Sequence, residues 1–312
     1  LSNPSGKTLG TPSTAVLTIV SEDVYVPQRP MFDFDGDGKS DLAVFRPMAD
    51  PAVFDFAIRR SSDNSLLGYS WGLPGDKLAP GDYDGDGKTD PAVYRESENR
   101  FYILQTGSLS VRIDDFGIAG DILTVGDWDG DGKDDVAVYR AGAQSIFFYR
   151  GSLNNPNGDI TYLPWGTTGD VPMRGDFDGD GKQDAAVFRP ANATWYIRQS
   201  SDGLLRTDNW GLSTDKFVPA DYDGDGRTDL AVFRPSNGTW YIKQSITNQP
   251  RYENFGLASD TLVPADYDGD GRTDIAVYRN GIWYLLQSTS GFAGRTFGTG
   301  GDTPVPNAYV NP

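Results

Sequence analysis

Asp33-Phe-Asp-Gly-Asp-Gly-Lys-Ser-Asp41 places aspartate at positions 1, 3, 5 and 9 of a nonapeptide and glycine at positions 4 and 6. The pattern returns at Asp82 to Asp90, Asp127 to Asp135, Asp176 to Asp184, Asp221 to Asp229 and Asp266 to Asp274, with starts 49, 45, 49, 45 and 45 residues apart. That period suits a four-stranded propeller blade. What surrounds the nonapeptide repeats as well. An apolar run closing in arginine follows each copy, first Leu42 to Arg46 and then runs ending at Arg95, Arg140, Arg189, Arg234 and Arg279. An aromatic run comes next, clearest in Trp195 to Ser200, Trp240 to Ser245 and Trp283 to Ser288. A third segment ends in an aromatic before glycine, at Trp71, Phe116, Trp165, Trp210, Phe255 and Phe297, and a Val-Pro segment such as Phe217 to Ala220 leads into the next nonapeptide.

Short β-branched and aromatic runs bounded by Gly, Asn, Asp and Pro read as strands. No stretch keeps a helical period. The expected fold is therefore all-β, a β-propeller of four-stranded blades, with the recurring aromatics filling the interfaces between blades. A linear solenoid would need polar capping repeats, and none is evident. Six units are complete. Asp302 to Tyr309 restarts the pre-loop strand a seventh time, with Ala308 and Val310 standing where the first two aspartates would be. Pairing this strand with Thr14 to Val20 and Val24 to Val26 would build a composite closing blade, so seven blades are expected and six are the alternative. The domains expected are 1–27, an N-terminal β-hairpin and linker, and 28–312, the propeller with a degenerate seventh repeat.

Carboxylates at alternate positions of a tightly turned loop converge on one hard cation, and a carbonyl at position 7 adds a neutral oxygen. The candidate ligands are Asp33, Asp35, Asp37, Lys39 and Asp41 in the first loop, then Asp82, Asp84, Asp86, Lys88 and Asp90 in the second. Asp127, Asp129, Asp131, Lys133 and Asp135 follow in the third, and Asp176, Asp178, Asp180, Lys182 and Asp184 in the fourth. The fifth has Asp221, Asp223, Asp225, Arg227 and Asp229; the sixth has Asp266, Asp268, Asp270, Arg272 and Asp274. All-oxygen ligation favours Ca²⁺ over Zn²⁺ or Cu²⁺, and the crowding favours it over Mg²⁺. Ordinary Asp-Gly hairpin turns would not repeat four like charges within nine residues. About six Ca²⁺ ions are expected, with each position-7 side chain reaching solvent or a neighbouring carboxylate.

Composition agrees with this reading. The 312 residues contain 44 acidic and 27 basic groups, a formal charge of −17, and 40 of the acidic residues are Asp. Cysteine and histidine are absent, which excludes disulfides, Cys or His metal sites, thiol nucleophiles and histidine triads. The negative charge disfavours nucleic acid and anionic membranes as partners, and no run is long enough for membrane insertion. Twenty-four of the aspartates occupy positions 1, 3, 5 and 9 of the six loops, so six divalent cations would bring the formal charge to about −5. The start at Leu1, with neither Met nor a signal-peptide pattern, reads as a processing or domain boundary.

Asp-x-Asp-Gly-Asp-Gly-x-x-Asp followed by an apolar strand, at this period, resembles the FG-GAP or VCBS repeats of integrin-α-like β-propellers over roughly residues 28 to 312. The resemblance implies calcium at the six Asp quartets and a role in adhesion, lectin, scaffold or, occasionally, enzyme function. The arginine closing each post-loop strand departs from the Gly-Ala-Pro segment of integrin repeats, which argues against integrin-type ligand binding. Residues 1 to 20 resemble the last hairpin of a Calx-β domain, and such a hairpin would become a self-assembly device if it added to another subunit's sheet.

Other motifs carry less. Arg174-Gly-Asp176 is an Arg-Gly-Asp tripeptide, but Asp176 opens the fourth loop. Asn192-Ala-Thr194 and Asn237-Gly-Thr239 match the glycosylation sequon at equivalent turns, where turn chemistry is the simpler reading. The six strand-end arginines are expected to pair with the pre-loop Asp76, Asp121, Asp170, Asp215 and Asp260, instead of forming a cationic ring. Glu96, Glu98, Asp114, Asp115 and Glu253 lie outside the repeat, and no pair among them suggests glycoside hydrolysis. The expected function is a secreted or cell-surface calcium-binding module, non-enzymatic, with a protein or glycan partner on the extracellular side. A lectin is the alternative, and a polysaccharide-degrading enzyme the distant third.

Overall fold

The computed structural model describes residues 30–46 and 54–310. These form six antiparallel four-stranded sheets and no α-helix. Blade five is typical: Lys216–Phe217, Leu230–Arg234, Thr239–Lys243 and Pro250–Asn254 pair in chain order, with Val232 opposite Tyr241 and Tyr241 opposite Tyr252. Blade two opens at Lys77–Leu78, blade three at Ile122–Leu123, blade four at Val171–Met173 and blade six at Thr261–Leu262. The second strand of each blade is buried on both faces, which is why it reads Leu-Ala-Val-Phe without alternation. The third strand alternates, burying Trp240 and Ile242, and the outer strand exposes every other residue.

Six blades replace the seven expected. Thr303–Pro304 does not found a new blade: it pairs antiparallel with Leu42–Phe45, Val44 facing Pro304 and Phe45 facing Thr303. Blade one is therefore Thr303–Pro304, Leu42–Phe45, Phe56–Arg59 and Leu66–Tyr69. A single strand at the end of the chain cannot build a sheet alone, whereas on this edge it completes four strands and closes the ring. The 3₁₀ turn Val305–Tyr309 then packs against the opening strands of blades one, two and six. Thr14 to Val20, Val24 to Val26 and the hairpin domain 1–27 lie outside the described residues.

The aromatics do join the blades. Trp71, Trp165 and Trp210, each at the end of an outer strand, donate their indole N–H to the carbonyls of Tyr102, Tyr196 and Tyr241 in the next blade at 3.1–3.2 Å. Trp195, Trp240 and Trp283 are fully buried and donate to the carbonyls of Trp210, Phe255 and Phe297 within their own blades. Replacing Trp240→Ala should cost about 3–5 kcal/mol. Urea unfolding would show a lower midpoint at an unchanged slope.

The arginine pairing also holds. Arg95, Arg140, Arg189, Arg234 and Arg279 each make two hydrogen bonds of 2.6–2.9 Å to Asp76, Asp121, Asp170, Asp215 and Asp260. Each guanidinium also lies 4.2–4.9 Å from the ring of Tyr102, Phe148, Tyr196, Tyr241 or Tyr284. Arg46 finds its carboxylate on Asp302 at 2.7 Å, a second tie between the two ends of the ring.

Candidate metal centres

Each nonapeptide joins the first and second strands of a blade, although loop one is entered from Pro30 to Phe32 while its first strand comes from Thr303–Pro304. The loop bulges as a closed turn, because the position-9 amide returns to the carbonyl just before position 1, as from Asp229 to Ala220 at 2.9 Å. Glycine is required twice. Position 4 has φ of 76–83° and position 6 has φ of 82–89° in all six loops, the left-handed region costly for other residues. The aromatic at position 2 anchors the loop in the core: Phe34, Tyr83, Trp128, Phe177, Tyr222 and Tyr267 are all buried. The hydroxyls of Tyr222 and Tyr267 donate to the carbonyls of Val218 and Val263.

Of the predicted ligands, the carboxylates at positions 1, 3 and 5 come together. In five loops the carboxylates at positions 1, 3 and 5 bring oxygens within 4.8 Å of one another: Asp33, Asp35 and Asp37; Asp82, Asp84 and Asp86; Asp127, Asp129 and Asp131; Asp176, Asp178 and Asp180; Asp221, Asp223 and Asp225. In the sixth, Asp266 accepts the amides of Gly269 and Gly271, the same contacts Asp221 makes with Gly224 and Gly226. Position 5 accepts the position-7 amide throughout: Lys39 to Asp37, Lys88 to Asp86, Lys133 to Asp131, Lys182 to Asp180, Arg227 to Asp225 and Arg272 to Asp270. Position 9 turns inward to the position-2 amide, as Asp41 does with Phe34 and Asp274 with Tyr267.

A further group of residues completes the site. The turn between the third and outer strands of each blade donates into its loop, to positions 3 and 5 and, in five blades, to position 9 as well. Ser245 gives its amide to Asp229 at 2.6 Å and its hydroxyl to Asp225 at 2.9 Å, and Ile246 gives its amide to Asp223. Ser61 and Ser62, Thr106 and Gly107, Ser200 and Ser201, and Ser288 and Thr289 do the same in four other blades, and in blade three Ser152 and Leu153 donate to Asp131 and Asp129. The Gln-Ser ending of the aromatic run was the available signal. Its distance in sequence from the carboxylates hid its part in the site.

These donors leave one oxygen over. Among the described residues, Asp129, Asp223 and Asp268, all at position 3, each keep a buried Oδ1 with no hydrogen-bond partner. An unsatisfied buried carboxylate oxygen is costly. Electrostatics points the same way. Burial, together with neighbouring carboxylates, pushes Asp41, Asp90, Asp229 and Asp274 up to about 7 and Asp135 to about 8, from the usual 3.8. Position 1 is raised by burial too, at Asp33, Asp127, Asp221 and Asp266. With all-oxygen donors, these sites fit a hard divalent cation.

The remaining motifs are structural. Asp176 of the Arg-Gly-Asp tripeptide holds the amides of Gly179 and Gly181. Asn192 and Asn237 donate to the hydroxyls of Tyr196 and Tyr241 across their turns. Glu96 is bound by Lys77 and the Gly120 amide, Glu98 by Arg95 and Tyr102, Asp114 by Arg112 and Arg150, Asp115 by Arg100, and Glu253 by Arg251. Those contacts hold Glu96 and Glu98 below the usual carboxylate range, the opposite of what a general acid needs.

A closed ring of six four-stranded blades, each with an aspartate loop between its first two strands, defines a repeat-built β-propeller. Residues 127–187, 176–232 and 221–277 match the FG-GAP-like repeat family. The same loop and strand recur in the two blades before them, which supports an FG-GAP β-propeller. Its fold is similar to an Agrocybe aegerita lectin that recognises non-reducing terminal N-acetylglucosamine, with 13% identity over 88% of this chain and 92% of that one and a TM-score of 0.54. It is similar also to a streptogramin B lyase, with 8% identity, 90% and 95% coverage and a TM-score of 0.50. No curated protein matches the chain in sequence.

Proposed function

We propose that the protein is a calcium-stabilised β-propeller that acts outside the cell as an interaction or structural module of a secreted or surface assembly. The observation that carries this reading is the buried, unpartnered Oδ1 of Asp129, Asp223 and Asp268, the first two each beside two further carboxylates. A divalent cation would satisfy these oxygens and neutralise the like charges, so binding energy would appear as folding energy. Loops of this kind in extracellular modules fill at about 10⁻⁴ to 10⁻³ M Ca²⁺, which is why the setting is placed outside the cell. The role is read as non-catalytic, because Glu96, Glu98, Asp114, Asp115 and Glu253, the carboxylates weighed for catalysis, are each held by a cation. Isothermal titration with CaCl₂ should register about six ions per chain, with MgCl₂ much weaker. Absence of binding at millimolar Ca²⁺ would sink the reading.

A glycan is the second reading, favoured by one feature. Between blades two and three a cleft of about 410 Å³ is lined by Phe148, Ile160 and Tyr162 beside Glu98, Asn99 and Asp115. Tyr162 is 62% exposed. An open aromatic face next to carboxylate and amide groups suits a sugar ring. A glycan array, repeated with Tyr162→Ala, tests it, and silence across the array leaves the protein-partner reading.

A further inference from the structure

The six loops are linked to one another. The position-8 amide of each loop donates to the position-1 carbonyl of the loop before it: Thr89 to Asp33, Asp134 to Asp82, Gln183 to Asp127, Thr228 to Asp176 and Thr273 to Asp221, all at 2.6–2.7 Å. Ser40 donates to Asp266 at 2.7 Å, so the chain of bonds closes on itself. A second link runs in parallel. The position-7 side chain runs across the position-4 glycine of the preceding loop, with Arg227 and Arg272 still exposed to solvent. A Cβ placed on Gly36, Gly85, Gly130, Gly179, Gly224 or Gly269 would stand 2.6–3.0 Å from a side-chain carbon of Lys88, Lys133, Lys182, Arg227, Arg272 or Lys39 respectively.

The position of these links matters. Position 1 presents its carboxylate to the candidate site and, through its own carbonyl, holds the next loop. The amide it receives belongs to position 8, which lies between candidate ligands at positions 7 and 9. A conformational change at position 1 of one loop therefore reaches two ligands of the next through a single hydrogen bond. Nearest-neighbour terms of this kind make repeat units cooperative, and a closed ring leaves no end unit from which order can fray.

We infer that the six loops bind cations cooperatively, each filled loop ordering the next through its position-1 carbonyl and position-8 amide. This rests on the calcium reading above. The test uses the whole chain and Ca²⁺ alone, followed by calorimetry and by the near-ultraviolet circular dichroism of Tyr83, Trp128, Tyr222 and Tyr267, the position-2 aromatics. Coupling predicts a sigmoidal titration with a Hill coefficient above 1. It also predicts that D221N/D223N, which disables loop five, weakens binding at the remaining five loops by about fivefold or more. Thr228→Pro, which removes the amide donated to Asp176, should lower the Hill coefficient, while Thr228→Ala, which keeps it, should not. Hyperbolic filling of six equal sites, with D221N/D223N removing one ion and leaving the other midpoints unchanged, overturns the coupling and leaves the calcium reading intact. Absence of any binding overturns both.

Discussion

In excess EDTA the melting temperature should rise by several degrees as the pH is lowered from 8 to about 5.5, and in millimolar calcium it should fall over the same interval. The sign follows from the loop aspartates. Asp41, Asp90, Asp229 and Asp274 are raised to about 7 by burial, from 3.8. Without a cation the folded chain thus holds more protons than the unfolded chain between about pH 4 and 7. Each such group contributes stability that is fully present below 3.8 and is lost as the pH rises through its folded value. The slope is about 1.4 kcal/mol per pH unit for each extra proton held. Calcium binding requires the same carboxylates ionised, so protons then compete with the ion and acid destabilises. At pH 8, the upper end of the interval, the gap between the two conditions should be widest, and added calcium should restore the melting temperature after chelation. Parallel melting curves that fall together in EDTA and calcium would show that the loops are neither proton-loaded nor cation-loaded.

The nonapeptide made the loop readable because every part of its geometry is local. Positive φ at two glycines, carboxylates at alternate positions and a buried aromatic between them all lie within nine residues. The strand-end arginines were legible for a similar reason, since the Arg95–Asp76 spacing of 19 residues recurs in each of the next four blades. What escaped lay farther apart in the chain. The hydroxyl turns reach the loop from 14 to 20 residues beyond position 9, after two strands, and the amide-to-carbonyl ring joins loops a whole blade apart. A period shows that units repeat. It does not show how their faces meet.

The blade count illustrates the same limit. Counting restarts of the pre-loop strand gives seven, because Asp302 to Pro306 repeats the form of Asp215 to Pro219. The geometry gives six, because that strand is spent on blade one. Only the pairing of Val44 with Pro304 and of Arg46 with Asp302 decides the matter, and both pairings join opposite ends of the sequence.

Deleting residues 302 to 312 should lower the melting temperature by roughly 10 °C or more. The segment supplies the first strand of blade one, the carboxylate that holds Arg46, and Val305, which is fully buried. Residues 307 to 309 reach across to other blades. Asn307 donates to the Leu262 carbonyl in blade six, and the Tyr309 hydroxyl donates to that of Pro80 in blade two. Arg174, from blade four, lies 3.8 Å from the Tyr309 ring, and Phe32 stacks on it. Loss of a buried aliphatic side chain, a half-buried aromatic and a strand's hydrogen bonds amounts to about 5 kcal/mol or more. Removing the strand also exposes the edge of Leu42–Phe45, so the truncated chain should associate through it, visible as dimer or larger species in light scattering. Tyr309→Ala separates the two contributions: it keeps the strand and its edge covered, so it should lose about 3 kcal/mol and stay monomeric. A synthetic peptide of residues 302–310 added to the truncated chain should recover stability by pairing with the open edge. A truncated chain that melts within 2 °C of the full one would mean that blade one is complete without its C-terminal strand.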